Sequence, residues 1–365
     1  MITIEKALDL EPEYPLEQVC RPEEMLFFDI ETTGFSGSYS SLYLIGCVFF
    51  KNGSWRLIQW FADRADAEEE ILHSFFCFLN SFSVLVHFNG DGFDIPYLLK
   101  RCQAYGLDYN FDRIKSIDIY RLIKPYKKFL GLDSLKQKSI ECFLGICRED
   151  KYSGGQLIEV YEDYMQTQDE YLYNLLILHN EDDLKGMLSI LPILFYHDFL
   201  NGAFTLKSQD IQEKQDIFGE KEKSLLLTYK GSCCLPVPAQ SENSCFSLEL
   251  SGELLCLAVP LFEGELKHFY SDYQNYYYLI YEDSAIHKSV GEYVEKSVKK
   301  KATAKTCYTR AAGLFLPQPS LIWESSLKTD YRDKLTYVPY SLELFNNENS
   351  AEQYIKEVLR TCFLK

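Results

Sequence analysis

Three short stretches of this 365-residue chain hold side chains able to bind hard cations or move protons. The first is Phe27-Phe28-Asp29-Ile30-Glu31-Thr32-Thr33-Gly34. Met25–Ile30 reads as a short apolar strand. Side chains alternate along a strand, so Asp29 and Glu31 share one face while Phe28 and Ile30 turn to a core. Two carboxylates side by side repel each other unless a hard cation sits between them; a solvated strand end has the same pattern. The second stretch, His87-Phe88-Asn89-Gly90-Asp91-Gly92-Phe93-Asp94-Ile95-Pro96, reads as a strand, a glycine-rich turn and a helix start. Asp94 there also suits helix capping, with Pro96 in the first turn. The third is Leu178-His179-Asn180-Glu181-Asp182-Asp183-Leu184, polar residues interrupting an apolar helix. His179 and Asp183, four apart, project from one helical face. Asp182 competes with Asp183; Asp183 keeps the one-turn spacing and precedes apolar Leu184.

Elements that position such residues can be read around them. Leu42–Phe50 and Trp55–Phe61 are strands joined across Asn52-Gly53, a strong hairpin signal. Ala67–Asn80 has helical spacing, with Glu68, Glu69 and Glu70 at the end where the helix dipole favours acids. Val84–Phe88 and Ile117–Tyr120 read as strands, and helices are expected from Pro96 to about Tyr105, at 133–143 and at 169–194. Antiparallel strands followed by alternating helices and strands imply an α/β mixed sheet flanked by helices. Residues 1–21 read as an N-terminal extension, 22–200 as the first domain and 201–223 as a polar linker. Residues 224–365 read as a smaller β-rich C-terminal domain, with strands at 225–229, 245–250, 254–259, 276–281 and 313–316 and a closing helix at 351–362.

Composition narrows the function classes. Apolar residues make up 47% of the chain and aromatics 15%, enough for a sizeable core and against disorder. No apolar run approaches the ~18 residues of a membrane span, and the first ten residues lack a basic-then-apolar signal pattern. A cytoplasmic protein is expected. The 12 cysteines are irregularly spaced without a C-x-x-C pair or histidines at zinc-ligand spacing, so they read as small hydrophobes in a reducing compartment. The net charge of −17 argues against a protein that coats nucleic acid through a global positive field. Most of it, 32 acidic against 18 basic residues, falls in the first 200 positions.

Taken together, the three acidic stretches resemble the DEDD exonucleases, the group that includes polymerase proofreading domains, over residues 22–200. Asp29 and Glu31 in FDIETTG match the first motif, Asn89, Phe93 and Asp94 in HFNGDGFD the second, and Asp183 in HNEDD the third. The layout is most similar to YprB-like proteins with an RNase H-like domain. The resemblance implies an RNase H-like fold and a 3′→5′ exonuclease in which Asp29, Glu31, Asp94 and Asp183 hold two divalent cations. Oxygen-rich ligation favours Mg²⁺ or Mn²⁺ over zinc. It also implies that Thr32, Thr33 and Gly34 approach the terminal nucleotide, with Asn89 and Phe93 beside it. Family members carry Tyr four residues before the last Asp or His five before it. Here His179 stands four before Asp183, as a candidate general base.

Two basic stretches stand against the acidic background. Arg121, Lys124, Lys127 and Lys128 in RLIKPYKK are interleaved with tyrosines, and KSVKKKATAKTCYTR carries six basic residues and no acid. Backbone-tracking charge beside aromatic rings suits a single strand, so a single-stranded nucleic-acid 3′ end is the expected partner; a solvated basic face is the alternative. A non-catalytic nucleic-acid-binding module and a structure-selective endonuclease remain as rival functions, and DNA is not separated from RNA.

Overall fold

The apolar runs at the start of the chain build one six-stranded mixed sheet. Its strands are β1 (Ile2–Leu8), β2 (Met25–Thr32), β3 (Leu42–Lys51), β4 (Ser54–Phe61), β5 (Val84–His87) and β6 (Lys115–Asp118), in the order β1-β4-β3-β2-β5-β6. The first four are antiparallel neighbours, and β2–β5 and β5–β6 are parallel. The computed structural model describes residues 1–146, 154–215, 221–242 and 245–363. They fall in two units, Met1–His197 and Asp198–Lys365.

In the first unit the helices are α1 (Glu68–Leu79), α2 (Asp94–Ala104), α3 (Ile119–Ile123), α4 (Gln137–Phe143), α5 (Gly154–Thr167) and α6 (Glu170–Ser189), followed by α7 (Leu194–Asn201). The β3–β4 hairpin turns at Asn52 and Gly53, both in left-handed backbone (φ 53° and 79°), as a primed two-residue turn demands. Central strand β2 is buried on both faces from Met25 to Phe28. The glutamates that open α1 do more than meet its dipole. Glu68 is buried, accepts the Leu42 backbone N–H at 2.9 Å and pairs with Arg101 of α2. Helix α6 starts at Asp169, whose carboxylate accepts the Tyr171 N–H at 2.7 Å, and lies across β2, β3 and β4. Glu181 on α6 is buried between Lys6 of β1 and Lys185.

The second unit holds three sheets. An antiparallel five-stranded sheet has the order β7 (Thr205–Gln215), β8 (Lys221–Lys230), β11 (Leu254–Pro260), β10 (Ser247–Ser251), β9 (Ala239–Glu242). Strands β12 (Phe262–Phe269), β16 (Tyr308–Gln318), β18 (Thr336–Pro339) and β17 (Leu327–Lys328) close a small barrel. The third sheet is β14 (Ser284–His287), β13 (Tyr276–Leu279) and β15 (Lys299–Lys301), beside the short α8 (Lys288–Gly291). Closing helix α9 (Glu348–Phe363) is anchored where Tyr229 donates to the Ala351 carbonyl at 3.1 Å.

The mixed α/β architecture with β-rich sheets after it is the one expected. Several boundaries differ. Residues 1–21, read as an extension, supply β1, which pairs along its whole length with β4. The stretch read as a linker supplies all of β7 and the start of β8, paired from Thr205↔Lys230 to Gln215↔Lys221. The physical reason is that β7 is an edge strand with mostly exposed side chains. Its backbone finds partners on one side only, and its polar composition is that of a linker. The strand expected at 117–120 ends at Asp118, which caps α3, and α5 was not anticipated. All eleven described cysteines are free thiols, but only Cys47, Cys102 and Cys307 are buried, so most are not core residues. No helix among the described residues is long and apolar enough to cross a membrane.

Candidate active site

Asp29 lies in a cross-strand row with Gly46 of β3 and Gln59 of β4. Helix α6 lays Asn180 over that row. A Cβ on Gly46 would come within 1.9 Å of Asn180 Oδ1 and 2.7 Å of Leu184 Cδ1, so the close approach of helix to sheet requires glycine. Asn180 Nδ2 donates to Asp29 Oδ2 at 3.0 Å. Its Oδ1 accepts from Gln59 Nε2 at 2.9 Å, and the same nitrogen donates to the Ile177 carbonyl at 3.0 Å. Asn180 and Gln59 are fully buried. Gln59 therefore fixes which way the Asn180 amide points, and the amide fixes one oxygen of Asp29.

One turn of α6 carries the rest of the third motif. His179 Nε2 stands 3.2 Å from Asp183 Oδ2 and 3.7 Å from Glu31 Oε1. One donor atom from each of Glu31, His179 and Asp183 lies within 4.8 Å of the others, close enough to hold a metal ion together. Between the two adjacent aspartates, Asp183 faces this group and Asp182 is exposed. Gln137 Nε2 donates to the Asp183 backbone carbonyl at 2.9 Å, tying α4 to this turn.

Asp94 begins α2 and is buried; the capping position is Phe93, and no side chain caps the helix. Capping thus does not account for Asp94. Burial pushes its carboxyl up to about 7, against backbone hydrogen bonds at Asp94 and Ile30, with Asp118 raising it further. Glu31 is likewise pushed to about 7, first by burial, then by Asp183 and Asp94, while His179 and a hydrogen bond from Tyr43 pull it down. Asp29 is held well above the usual carboxylate range by burial and by the charges of Glu31, Asp94 and Asp183, with Asn180 opposing. Four carboxylates within electrostatic reach, three of them resisting ionisation, form a site that a cation would stabilise.

The residues expected beside the substrate divide. Thr32 Oγ1 donates to the Gly34 carbonyl at 2.9 Å, and the Thr33 N–H pairs with Ser41 at 2.9 Å. They shape the loop after β2 just beyond a register shift between Glu31 and Thr32. Phe93 is half-buried, its ring 5.6 Å from that of Tyr97. Asn89 is exposed in left-handed backbone (φ 63°). It lines a groove of about 750 Å³ with Phe88, Tyr120, Lys124, Lys127, Ser134, Leu135, Lys136 and Gln137. Arg121 and Lys128 are not in its lining. Arg121 pairs with Asp91 at 2.9 Å instead.

A second polar cluster stabilises the turn that carries Asn89. His87 is buried, and its Nδ1 accepts the Gly90 N–H at 3.0 Å. Its Nε2 therefore donates to Ser116 Oγ at 2.7 Å, and Ser116 donates to Asp91 at 2.6 Å. Burial lowers the His87 pKa, in keeping with a neutral ring. Asp118 Oδ1 accepts the Asn89 N–H at 2.9 Å. Sequence reasoning missed this cluster, as it missed Gln59, Gly46, Asn180, Tyr43, Lys136 and Gln137. Only Asn180, inside the third motif, carried a local signal.

Comparison with known proteins follows the same segment. A family model describing the RNase H superfamily matches residues 26–194. A DNA polymerase of Thermococcus sp. (strain 9oN-7) is 33% identical over 98 residues, covering 24% of this chain and 13% of the polymerase. Among solved structures, the family B DNA polymerase of Pyrobaculum calidifontis is 14% identical, covering 69% of this chain and 35% of its own, with a TM-score of 0.38. The zinc-bound complex of E. coli exonuclease I with single-stranded DNA is 13% identical, covering 56% and 54%, with a TM-score of 0.27. This chain thus spans 13% of the polymerase relative and about a third to a half of these two structures.

Proposed function

We propose that the first unit, whose residues 26–194 match a family model of the RNase H superfamily, is a metal-dependent 3′→5′ exonuclease that hydrolyses phosphodiester bonds of nucleic acid. The observation that carries this reading is the convergence of Asp29, Glu31, Asp94 and Asp183, with three of the four carboxyls held above their ordinary range. Burying like charges together is costly unless cations neutralise them, and an all-oxygen set suits Mg²⁺ or Mn²⁺. Asp29, Glu31, Asp94 and Asp183 would hold two such ions. When bound, they would supply Lewis-acid activation of water and charge neutralisation at the leaving oxygen.

The chain's own groups supply the rest. Asn180 holds Oδ2 of Asp29 through its side-chain amide. His179 Nε2, beside Glu31 and Asp183, takes the proton of the attacking water. Gln137 keeps the His179–Asp183 turn against α4 through the Asp183 carbonyl. The motif order of the DEDD exonucleases supports release of nucleotides from a 3′ end. The test is an end-labelled single strand, as DNA and as matched RNA, incubated with Mg²⁺. A ladder growing from the 3′ end supports the reading. Internal cuts support an endonuclease, and binding without cleavage a non-catalytic module.

A further inference from the structure

The basic groove beside the carboxylates has features that a solvated lysine face lacks. Lys124 and Lys127 come from the turn after α3 and Lys136 from the segment before α4, and all three converge on one hollow without an acidic residue in its lining. None of the three forms an ion pair among the described residues, although the unit around them is strongly acidic. Between them stand two half-buried rings. Phe88 and Tyr120 meet edge to face with centroids 6.1 Å apart, and Lys124 Nζ lies 5.7 Å from the Tyr120 centroid. The hollow is tied to the candidate active site at two points. Asn89 follows the strand end that leads to Asp94, and Gln137 bonds the carbonyl of Asp183.

We infer that this groove seats the single-stranded nucleic acid flanking the bond to be cut, with Lys124, Lys127 and Lys136 on its phosphates and Phe88 and Tyr120 against its bases. The inference rests on the nuclease reading for its location and on the groove's own chemistry for its ligand. Unpaired lysines call for a polyanion, and half-buried aromatic rings among them call for one with flat apolar faces. A single strand offers both at once; a duplex hides its base faces, and an acidic peptide has none. Lys136 also replaces a residue expected from sequence. Arg121 is engaged by Asp91, and the third cation comes from fifteen positions further along the chain.

The test separates this inference from the nuclease reading by measuring binding without cleavage. Fluorescein-labelled dT12 and rU12 are titrated with the full chain in EDTA over a series of salt concentrations, followed by anisotropy. For the triple variant K124A/K127A/K136A, the affinity should fall at least tenfold at low salt. The slope of log affinity against log salt should shrink by about 2, from roughly 0.7 per phosphate contact on a single strand. The triple arginine variant should restore both. Tyr120→Ala should weaken binding several-fold with an unchanged salt slope, the signature of stacking rather than charge. The Mn²⁺-induced rise in melting temperature should be the same in all variants, showing an intact carboxylate site. A triple alanine variant that binds like wild type with the same slope overturns the groove, even if wild type cleaves. Poly-glutamate bound as tightly as dT12, with the same loss in the variant, overturns nucleic acid as its ligand. Binding lost in the variant while wild type fails to cleave with Mg²⁺ sustains the groove and sinks the nuclease reading.

Discussion

Gln59 and Asp29 stand two strands apart in one cross-strand row and are joined through a single side chain, the Asn180 amide. Gln59 Nε2 can donate only to the carbonyl end of that amide, so the NH₂ end must face Asp29. The arrangement depends on Gly46 between them, where any Cβ would overlap Asn180.

Two substitutions probe this row. Asn180→Leu removes the donor and leaves Asp29 less well fixed. The Mn²⁺ affinity, read as the concentration giving half the thermal shift, should weaken about tenfold or more, the effect typical of losing a partner that orients a metal ligand. Gly46→Ala should cost about 1–3 kcal/mol of stability, as overpacking does, measured by urea unfolding, and should also lower turnover. Wild-type metal affinity in Asn180→Leu would show that Asp29 does not need the contact.

The carboxyl shifts make a prediction for the metal-free protein. Glu31 and Asp94 are raised to about 7, and Asp29 is raised as well. A folded pKa above the unfolded one means that folding favours the protonated group. The resulting stability is fully present below the ordinary carboxylate range of ~4 and is lost as pH rises through about 7. In EDTA the melting temperature should therefore fall between pH 5 and pH 8. Asp29→Asn should flatten the fall and raise the midpoint at pH 8. Added Mn²⁺ should stabilise more at pH 8 than at pH 5, because cations and protons compete for the same oxygens. A midpoint that is flat with pH in EDTA would mean that these groups ionise as freely as exposed ones.

Much of the fold was legible because its signals are local. The Asn52-Gly53 turn, the Met25–Ile30 strand and the spacing of α1 each show in a few residues. What was not legible depends on long-range partners. Gln59 reads as one polar residue in a strand, and its meaning arises only when α6 brings Asn180 across Gly46. Lys136 carries no local mark of the groove that Lys124 and Lys127 share with it. Strand β7 reads as a linker because an exposed edge strand and a linker have the same composition. At the site, Asp29 and Glu31 were legible from strand alternation and Asp183 from one-turn spacing. The His87–Ser116–Asp91 chain needed two parallel strands in register.

Activity should require Mg²⁺ or Mn²⁺ and vanish with a chelator. Asp29→Asn, Glu31→Gln, Asp94→Asn and Asp183→Asn should each remove nearly all turnover while the protein still unfolds cooperatively. Asp182→Asn, altering an exposed carboxylate one position away, should keep near wild-type turnover. The Asp182 and Asp183 pair is the most discriminating, since both substitutions remove the same charge from the same turn. Equal losses in both would show that the effect is one of net charge and not of position.

The last prediction concerns His179, which is either the base that takes the water's proton or a metal ligand with Glu31 and Asp183. Its Nε2 is 3.2 Å from Asp183 and 3.7 Å from Glu31, a placement compatible with both. The two roles separate at saturating Mn²⁺, where the carboxylates are ionised and no longer shape the pH profile. If Nε2 accepts the proton, wild-type rate should climb with pH as the imidazole loses its proton and then level. His179→Ala should then lose ~10²–10⁴-fold in rate, the usual range for a general base, with unchanged Mn²⁺ affinity and no acidic limb. A ligand role predicts instead a loss of Mn²⁺ affinity that excess metal repairs together with the rate. If His179→Ala turns over at wild-type speed with the same pH profile, neither role holds, and the histidine only packs between Glu31 and Asp183.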